Sequence, residues 1–186
     1  LDATFGGDGK VTTNFTSRFD TAYGVVVQPG DGKIVAAGGV AGSGGRFGLA
    51  RYNPDGSLDA TFGGDGKVTT NFVPGFDGAF AVAVQPADQK VVAAGQVGGG
   101  LGLARYLPGG GLDSSFGGDG KVTTNFTRGL DYADDVELDS SGRIVAAGSA
   151  NFFGSDPRFA VARYEADGSL DPSFGGDGRV TTNFTP

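Results

Sequence analysis

The chain has 186 residues, among them 37 glycines and 8 prolines but no Cys, His, Met or Trp, and 14 basic against 21 acidic residues leave a net charge of -7. Disulfides, thiolate nucleophiles, Cys/His metal cages and imidazole acid–base chemistry are therefore excluded. An acidic chain whose basic residues are dispersed one per strand or turn is not expected to bind nucleic acid, and no apolar run is long enough for membrane insertion as a helix.

The first element, residues 1–15, reads LDATFGGDGKVTTNF; it returns at Leu58, at Leu112 as LDSSFGGDGKVTTNF and at Leu170 as LDPSFGGDGRVTTNF. Its Gly6-Gly7-Asp8-Gly9 stretch predicts a tight reversal, and residues 11–15 predict a short strand. A second segment, FDTAYGVVVQP from Phe19, recurs as FDGAFAVAVQP from Phe76 and LDYADDVELD from Leu130, with a strand predicted at 23–28. A third, KIVAAG from Lys33, recurs from Lys90 and Arg143 and predicts a strand over 33–37. A fourth, FGLARYNPDGS from Phe47, recurs from Leu101 and Phe159; it predicts a strand over 47–52 and then a turn at Asn53-Pro54-Asp55-Gly56. The chain thus divides into repeats at 1–57, 58–111 and 112–169 and a partial fourth repeat at 170–186, all one array. With 38% hydrophobic residues and glycines that recur in register, this glycine content marks strand ends rather than disorder.

Four short strands per unit, repeated head to tail without any long stretch of helical period, match the blades of a β-propeller. Val35-Ala36-Ala37-Gly38 is small or apolar at both parities, as a strand covered on both faces requires. The expected fold is all-β, with β-propeller-type four-stranded blades: three complete repeats plus an extra outer-strand segment.

These residues resemble the delta-60 repeat family of bacterial β-propeller proteins, whose unit carries LDxSFGxxGxVxTxF, DxAxxVxxQxDGKIVVAG and FALARYNxDGSLD. The likeness covers the whole chain. Asp88-Gln89-Lys90 departs from it by lacking the turn glycine, Leu107 to Gly111 replace the Asn-x-Asp-Gly turn, and the third unit is acidic where its siblings are apolar. The resemblance implies an extracellular or cell-surface protein and assigns no activity or functional residue.

Closed propellers use about four to eight blades, so three blades imply an incomplete or oligomer-completed ring. Taking KIVAAG and LARY as second and third strands, the LDATF block becomes the fourth and the chain begins with an orphan outer strand. Completion is expected from a homodimer making a six-bladed ring or from a longer propeller of which this is a fragment, unless the stack stays open with polar ends.

Candidate chemistry is sparse. Asp135, Glu137 and Asp139 share one strand parity in the acidic third unit, a face expected to be open to solvent, to line a channel or to meet cations such as Ca²⁺. Same-face neighbours on a strand are about 6.5–7 Å apart, too far for one strand to cage an ion, so a solvated face is the stronger reading. The Gly-Gly-Asp-Gly turns lack the second Asp of calcium nonapeptides and the Ser/Thr of a phosphate loop. Arg51, Arg105 and Arg163 recur in every unit and are expected to be structural, with Asp20, Asp77 or Asp131 as partners. Sequons at Asn14, Asn125 and Asn183 recur with the repeat and fail at Val73. Phe152 and Phe153 lie in a loop that differs between units and are candidates for contact with a protein or glycan partner. The expected function is a non-catalytic scaffold or binding module without cofactor; the alternative is a carboxylate-dependent hydrolase or lyase with a channel-end site.

Overall fold

The computed structural model describes residues 1–42, 44–73 and 75–184. Its strands form three four-stranded antiparallel sheets, and no helix occurs among the described residues. The first sheet contains β1 (Asp20–Val27), β2 (Ile34–Val40), β3 (Arg46–Tyr52) and β4 (Lys67–Thr70). The second contains β5 (Asp77–Val84), β6 (Val91–Val97), β7 (Gly100–Tyr106) and β8 (Lys121–Thr124). The third contains β9 (Tyr132–Leu138), β10 (Ile144–Ala150), β11 (Arg158–Tyr164) and β12 (Arg179–Thr182). Each is a meander with strands in chain order, and each takes its fourth strand from the next LDATF-type block.

First strands pack on one another, β1 on β5 and β5 on β9, and so form the inner edge of the stack. Two cores fill the spaces between sheets. Phe47, Leu49 and Phe62 of the first sheet meet Val82, Val91 and Tyr106 of the second, whose other face gives Leu101, Leu103 and Phe116 to Val136, Ile144 and Tyr164 of the third. The two parities of the central sheet therefore face different neighbours, which is why VVAA is small and apolar throughout.

A bulge in each first strand follows from the glycine that closes the VAAG segment. Pairing shifts between Ala22 and Gly24, between Ala79 and Ala81, and opposite Ala147/Gly148. At Gly95 a Cβ would overlap the Gly78 carbonyl oxygen, so only glycine lets the bulged strand lie this close. The extra residue of each bulge is Tyr23, Phe80 or Asp134.

Residues 11–15 differ from expectation: with no sheet beside them they form no strand. They still hold the outer-strand place. Tyr52 donates its hydroxyl to Thr13 Oγ1 at 2.7 Å, as Tyr106 does to Thr70 at 2.8 Å and Tyr164 to Thr124 at 2.8 Å.

The regular arginines also find other partners than Asp20, Asp77 and Asp131. Arg51 Nε donates to Asp59 at 2.7 Å, Arg105 to Asp113 at 2.8 Å and Arg163 to Asp171 at 2.7 Å. The antiparallel bridge of Tyr52 with Leu58, repeated in each unit, sets that Asp beside the arginine. Each guanidinium lies over the Phe of the same block, Phe62, Phe116 or Phe174, 4.7–4.8 Å from the ring centre. A second cation, Lys33, Lys90 or Arg143, reaches the same carboxylate at 3.0, 3.2 and 3.0 Å. Burial opposes the charge on Asp59 and Asp113, but Thr61 or Ser115, the lysine and the arginine outweigh it and hold both carboxyls well below the usual range. Asp20 and Asp131 instead accept backbone N–H groups of the incoming connector, from Phe15 and Thr16 and from Phe126 and Thr127.

Candidate ligand-binding surface

The bulges aim Tyr23 and Phe80 out of the inner edge at the end where the first strands begin. Their rings meet edge to face at 5.3 Å, and Phe80 meets Tyr132 at 5.9 Å, both pairs at 88°. Tyr132 meets Phe152 at 5.3 Å, and Phe152 meets Phe153 at 4.8 Å. Five rings from three sheets thus form one continuous ladder. Tyr23 is 57% exposed, Phe152 44% and Phe153 82%. Core packing does not account for rings this open.

The loop carrying the two phenylalanines is held from within. Asn151 takes a left-handed φ of 58°, its N–H donates to Asp131 Oδ1 at 2.9 Å, and Phe152 N–H donates to the Leu130 carbonyl at 2.9 Å. The structure therefore gives Phe152 and Phe153 a common setting that their loop alone did not reveal.

Asp134 is the third bulge residue, standing where Tyr23 and Phe80 stand in their sheets. It borders a shallow cavity of about 390 Å³ lined with Tyr23, Phe80, Tyr132, Phe152 and Phe153. No Lys or Arg lines that cavity. Burial against the rings, with Asp135 beside it adding repulsion, pushes the Asp134 carboxyl above its ordinary value. On its other side Asp134, with Asp135 and Phe152, borders an apolar cavity of about 420 Å³ at the open face of the third sheet.

Asp135 and Glu137 are exposed, and with Asp139 they border a cavity of about 730 Å³ whose other walls include Val25, Val82 and Val84. Asp139 lies beyond the end of β9 and accepts from the N–H groups of Ser141 and Arg143 and from Arg143 Nε at 2.8 Å. Among the described residues no three carboxylates converge as a metal site would require.

Of the sequons, Asn183 donates its side-chain amide to Asp156 Oδ1 at 2.6 Å, while Thr185, the third position, lies outside the described residues. Sequence reasoning missed the ladder and the place of Asp134 in it. The available signal was the pair Tyr23 and Phe80 inside otherwise small-residue strands.

No curated protein matches the chain. Residues 30–62 and 140–174, which include β2 with β3 and β10 with β11, match the family model described as "Domain of unknown function (DUF5122) beta-propeller", so the sheets just described have their likeness in a β-propeller family.

Proposed function

We propose that the chain is a non-catalytic binding module whose ligand docks on the aromatic ladder at the inner end of the sheets. The observation that carries this reading is the ladder itself: five rings converge from three sheets, with Tyr23, Phe152 and Phe153 exposed and Phe80 and Tyr132 half-buried. Asp134, Asp135 and Glu137 all belong to β9, and no carboxylate from another sheet lines their cavities, which favours binding over paired-carboxylate hydrolysis or elimination. The resemblance to delta-60 repeats supports an extracellular or cell-surface setting, with a protein or glycan as natural partner. The test is a ¹H–¹⁵N and aromatic-resonance NMR titration against sugars, amino acids, organic cations and organic anions. Shifts confined to residues of the ladder are expected, and responses elsewhere, or turnover of the added compound, would overturn the reading.

We also propose that a further four-stranded unit covers the open face of the third sheet, either from a second copy completing a six-bladed ring or from a longer chain. Arg51 Nη1 donates to the Pro108 carbonyl of the next sheet's turn at 2.6 Å, and Arg105 Nη1 to that of Ala166 at 2.5 Å. Arg163 ends the series with no following sheet to receive it. On the same face Phe159 is 63% exposed where its counterparts Phe47 and Leu101 are buried, and Phe184 is 75% exposed where its counterparts Phe72 and Phe126 are half-buried. Light scattering decides the source: a particle of twice 18.6 kDa supports the second copy, and a monodisperse monomer rejects it.

A further inference from the structure

We infer that the ladder cavity is a site for a small quaternary ammonium ion, a trimethylammonium head held by ring faces beside the Asp134 carboxylate. This rests on the binding-module reading above and names the ligand class that the same surface would take.

Three features select that class. Successive rings stand close to perpendicular, at 88°, 88° and 75°, so the wall is a corner built of ring faces and edges, not a flat platform. Tyr23, Phe152 and Phe153 are the exposed rings of this corner, and a compact cation gains from the quadrupole of each ring face it reaches. The rim then carries one carboxylate, Asp134, with Asp135 next to it, and no basic side chain competes for either from the cavity lining. In a chain of net charge -7 the field around the site also draws cations and repels anions. Finally, the lining is mostly carbon: beside Asp134, Gln96 and the tyrosine hydroxyls it consists of the rings and Leu130, and the Gln96 NH2 is turned to the Gly98 carbonyl at 3.1 Å. Methyl groups bury favourably against such a wall, whereas a primary ammonium keeps its strongly hydrated N–H groups best in water.

The same comparison sets aside the neighbouring apolar cavity. Arg158 lines it together with Asp134 and Asp135, so unlike the ladder cavity it offers its carboxylates a competing basic side chain.

Choline is the probe, with the neutral isostere 3,3-dimethylbutanol and with ethanolamine as controls, each followed by saturation transfer from ring protons to ligand methyl or methylene protons and by amide shifts. The expected result is saturable choline binding that shifts residues 23, 80, 132, 134 and 152, with the isostere and ethanolamine each about tenfold weaker or worse. Phe80→Leu and Tyr132→Leu should each weaken choline binding about tenfold. Since Phe80 and Tyr132 are half-buried, the second variant is Asp134→Asn, isosteric and at an exposed position where it removes no packing; it should weaken choline severalfold and leave the isostere unchanged. Equal affinity for choline and its isostere, or unchanged choline binding in Asp134→Asn, would overturn the proposal. If sugars or another class shift the ladder while choline does not, the quaternary-ammonium inference fails and the binding reading stands. If no compound shifts the ladder, both fail.

Discussion

Arg105→Ala tests the idea that the recurring Arg-Asp pair clasps each sheet and joins it to the next. Arg105 is 3% exposed, and its three donor nitrogens are all engaged: Nε with Asp113, Nη2 with Ser115 Oγ at 3.1 Å and Nη1 with the Ala166 carbonyl of the third sheet. Breaking a buried ion pair from one side costs about 3–5 kcal/mol, because the partner charge is left uncompensated. Here Lys90 still reaches Asp113 at 3.2 Å, so the low end of that range applies. A loss of about 3 kcal/mol, with a urea m-value of about 2–3 kcal/mol/M for a chain of this size, lowers the unfolding midpoint by about 1–1.5 M. Lys90→Ala removes the half-exposed member of the same cluster and should cost about 1 kcal/mol or less. For a monomer, Arg163→Ala, whose side chain is 20% exposed against 4% for Arg105, should cost clearly less than Arg105→Ala; with a unit covering the third sheet the two costs converge. Equilibrium urea denaturation followed by circular dichroism measures all three. Equal midpoints for Arg105→Ala and Lys90→Ala would refute the clasp.

Val73 occupies the place of Thr16 and Thr127, whose hydroxyls donate to Asp20 and Asp131, and the equivalent Asp77 is fully buried with Oδ1 unpartnered. Val73→Thr should restore that bond and stabilise the protein by about 1 kcal/mol, read as a higher urea midpoint. Gly95→Ala would drive a methyl into the Gly78 carbonyl and should cost about 1–3 kcal/mol, with selective loss of hydrogen-exchange protection in β5 and β6. Acid lowers stability in a defined window. The carboxyls of Asp59 and Asp113 lie well below their ordinary 3.8 when folded, and that of Asp171, accepting from Ser173 against the cost of burial, is lowered to about 2. Their contribution is complete above the unfolded value and lost as pH falls through the folded ones. Urea midpoints should therefore hold from neutral pH to about 5 and decline below about 4; a midpoint unchanged down to pH 2 would exclude the clasp as a source of stability.

Repeat spacing made the blades legible because each strand type returns in register, and even the assignment of the LDATF block as fourth strand follows from the placing of KIVAAG and LARY. The partner of the arginine was legible in principle, since Asp59, Asp113 and Asp171 each follow their arginine by the same eight residues. It was obscured because Asp20, Asp77 and Asp131 are equally regular. Only the bridge between Tyr52 and Leu58 decides which carboxylate lies beside the fork. Gln89 shows the opposite case. The sequence lacks a glycine there, yet the turn keeps its shape, with Gln89 at φ 57° where Gly32 and Gly142 have 70° and 79°. The ladder escaped for a different reason: apart from Tyr23 and Phe80, its rings come from positions that do not correspond between units. Tyr23 and Phe80 are bulge residues, Tyr132 precedes the bulge, and Phe152 and Phe153 sit in a loop. A periodic reading looks for like residues at like places, so it cannot see a surface made from unlike ones.

That contrast also explains why stability and recognition separate in this molecule. A group repeated in every sheet, such as the Arg-Asp clasp or the Tyr-Thr hydroxyl bond, solves the same packing problem each time and can be kept by copying. A ligand sees one place only, so its site has to be built where copies differ. In the third sheet the bulge presents Asp134 in place of an aromatic ring, while Tyr132 and the Phe152 loop bring rings to the same corner from other positions. The aromatic wall is thereby continued and a single carboxylate is added to its rim. The bulge is the hinge of this arrangement, because it spends one residue per inner strand on a side chain that no sheet face covers. Tyr23, Phe80 and Asp134 are free to vary there without disturbing the alternation that buries Val82, Val84 and Val136 on either side.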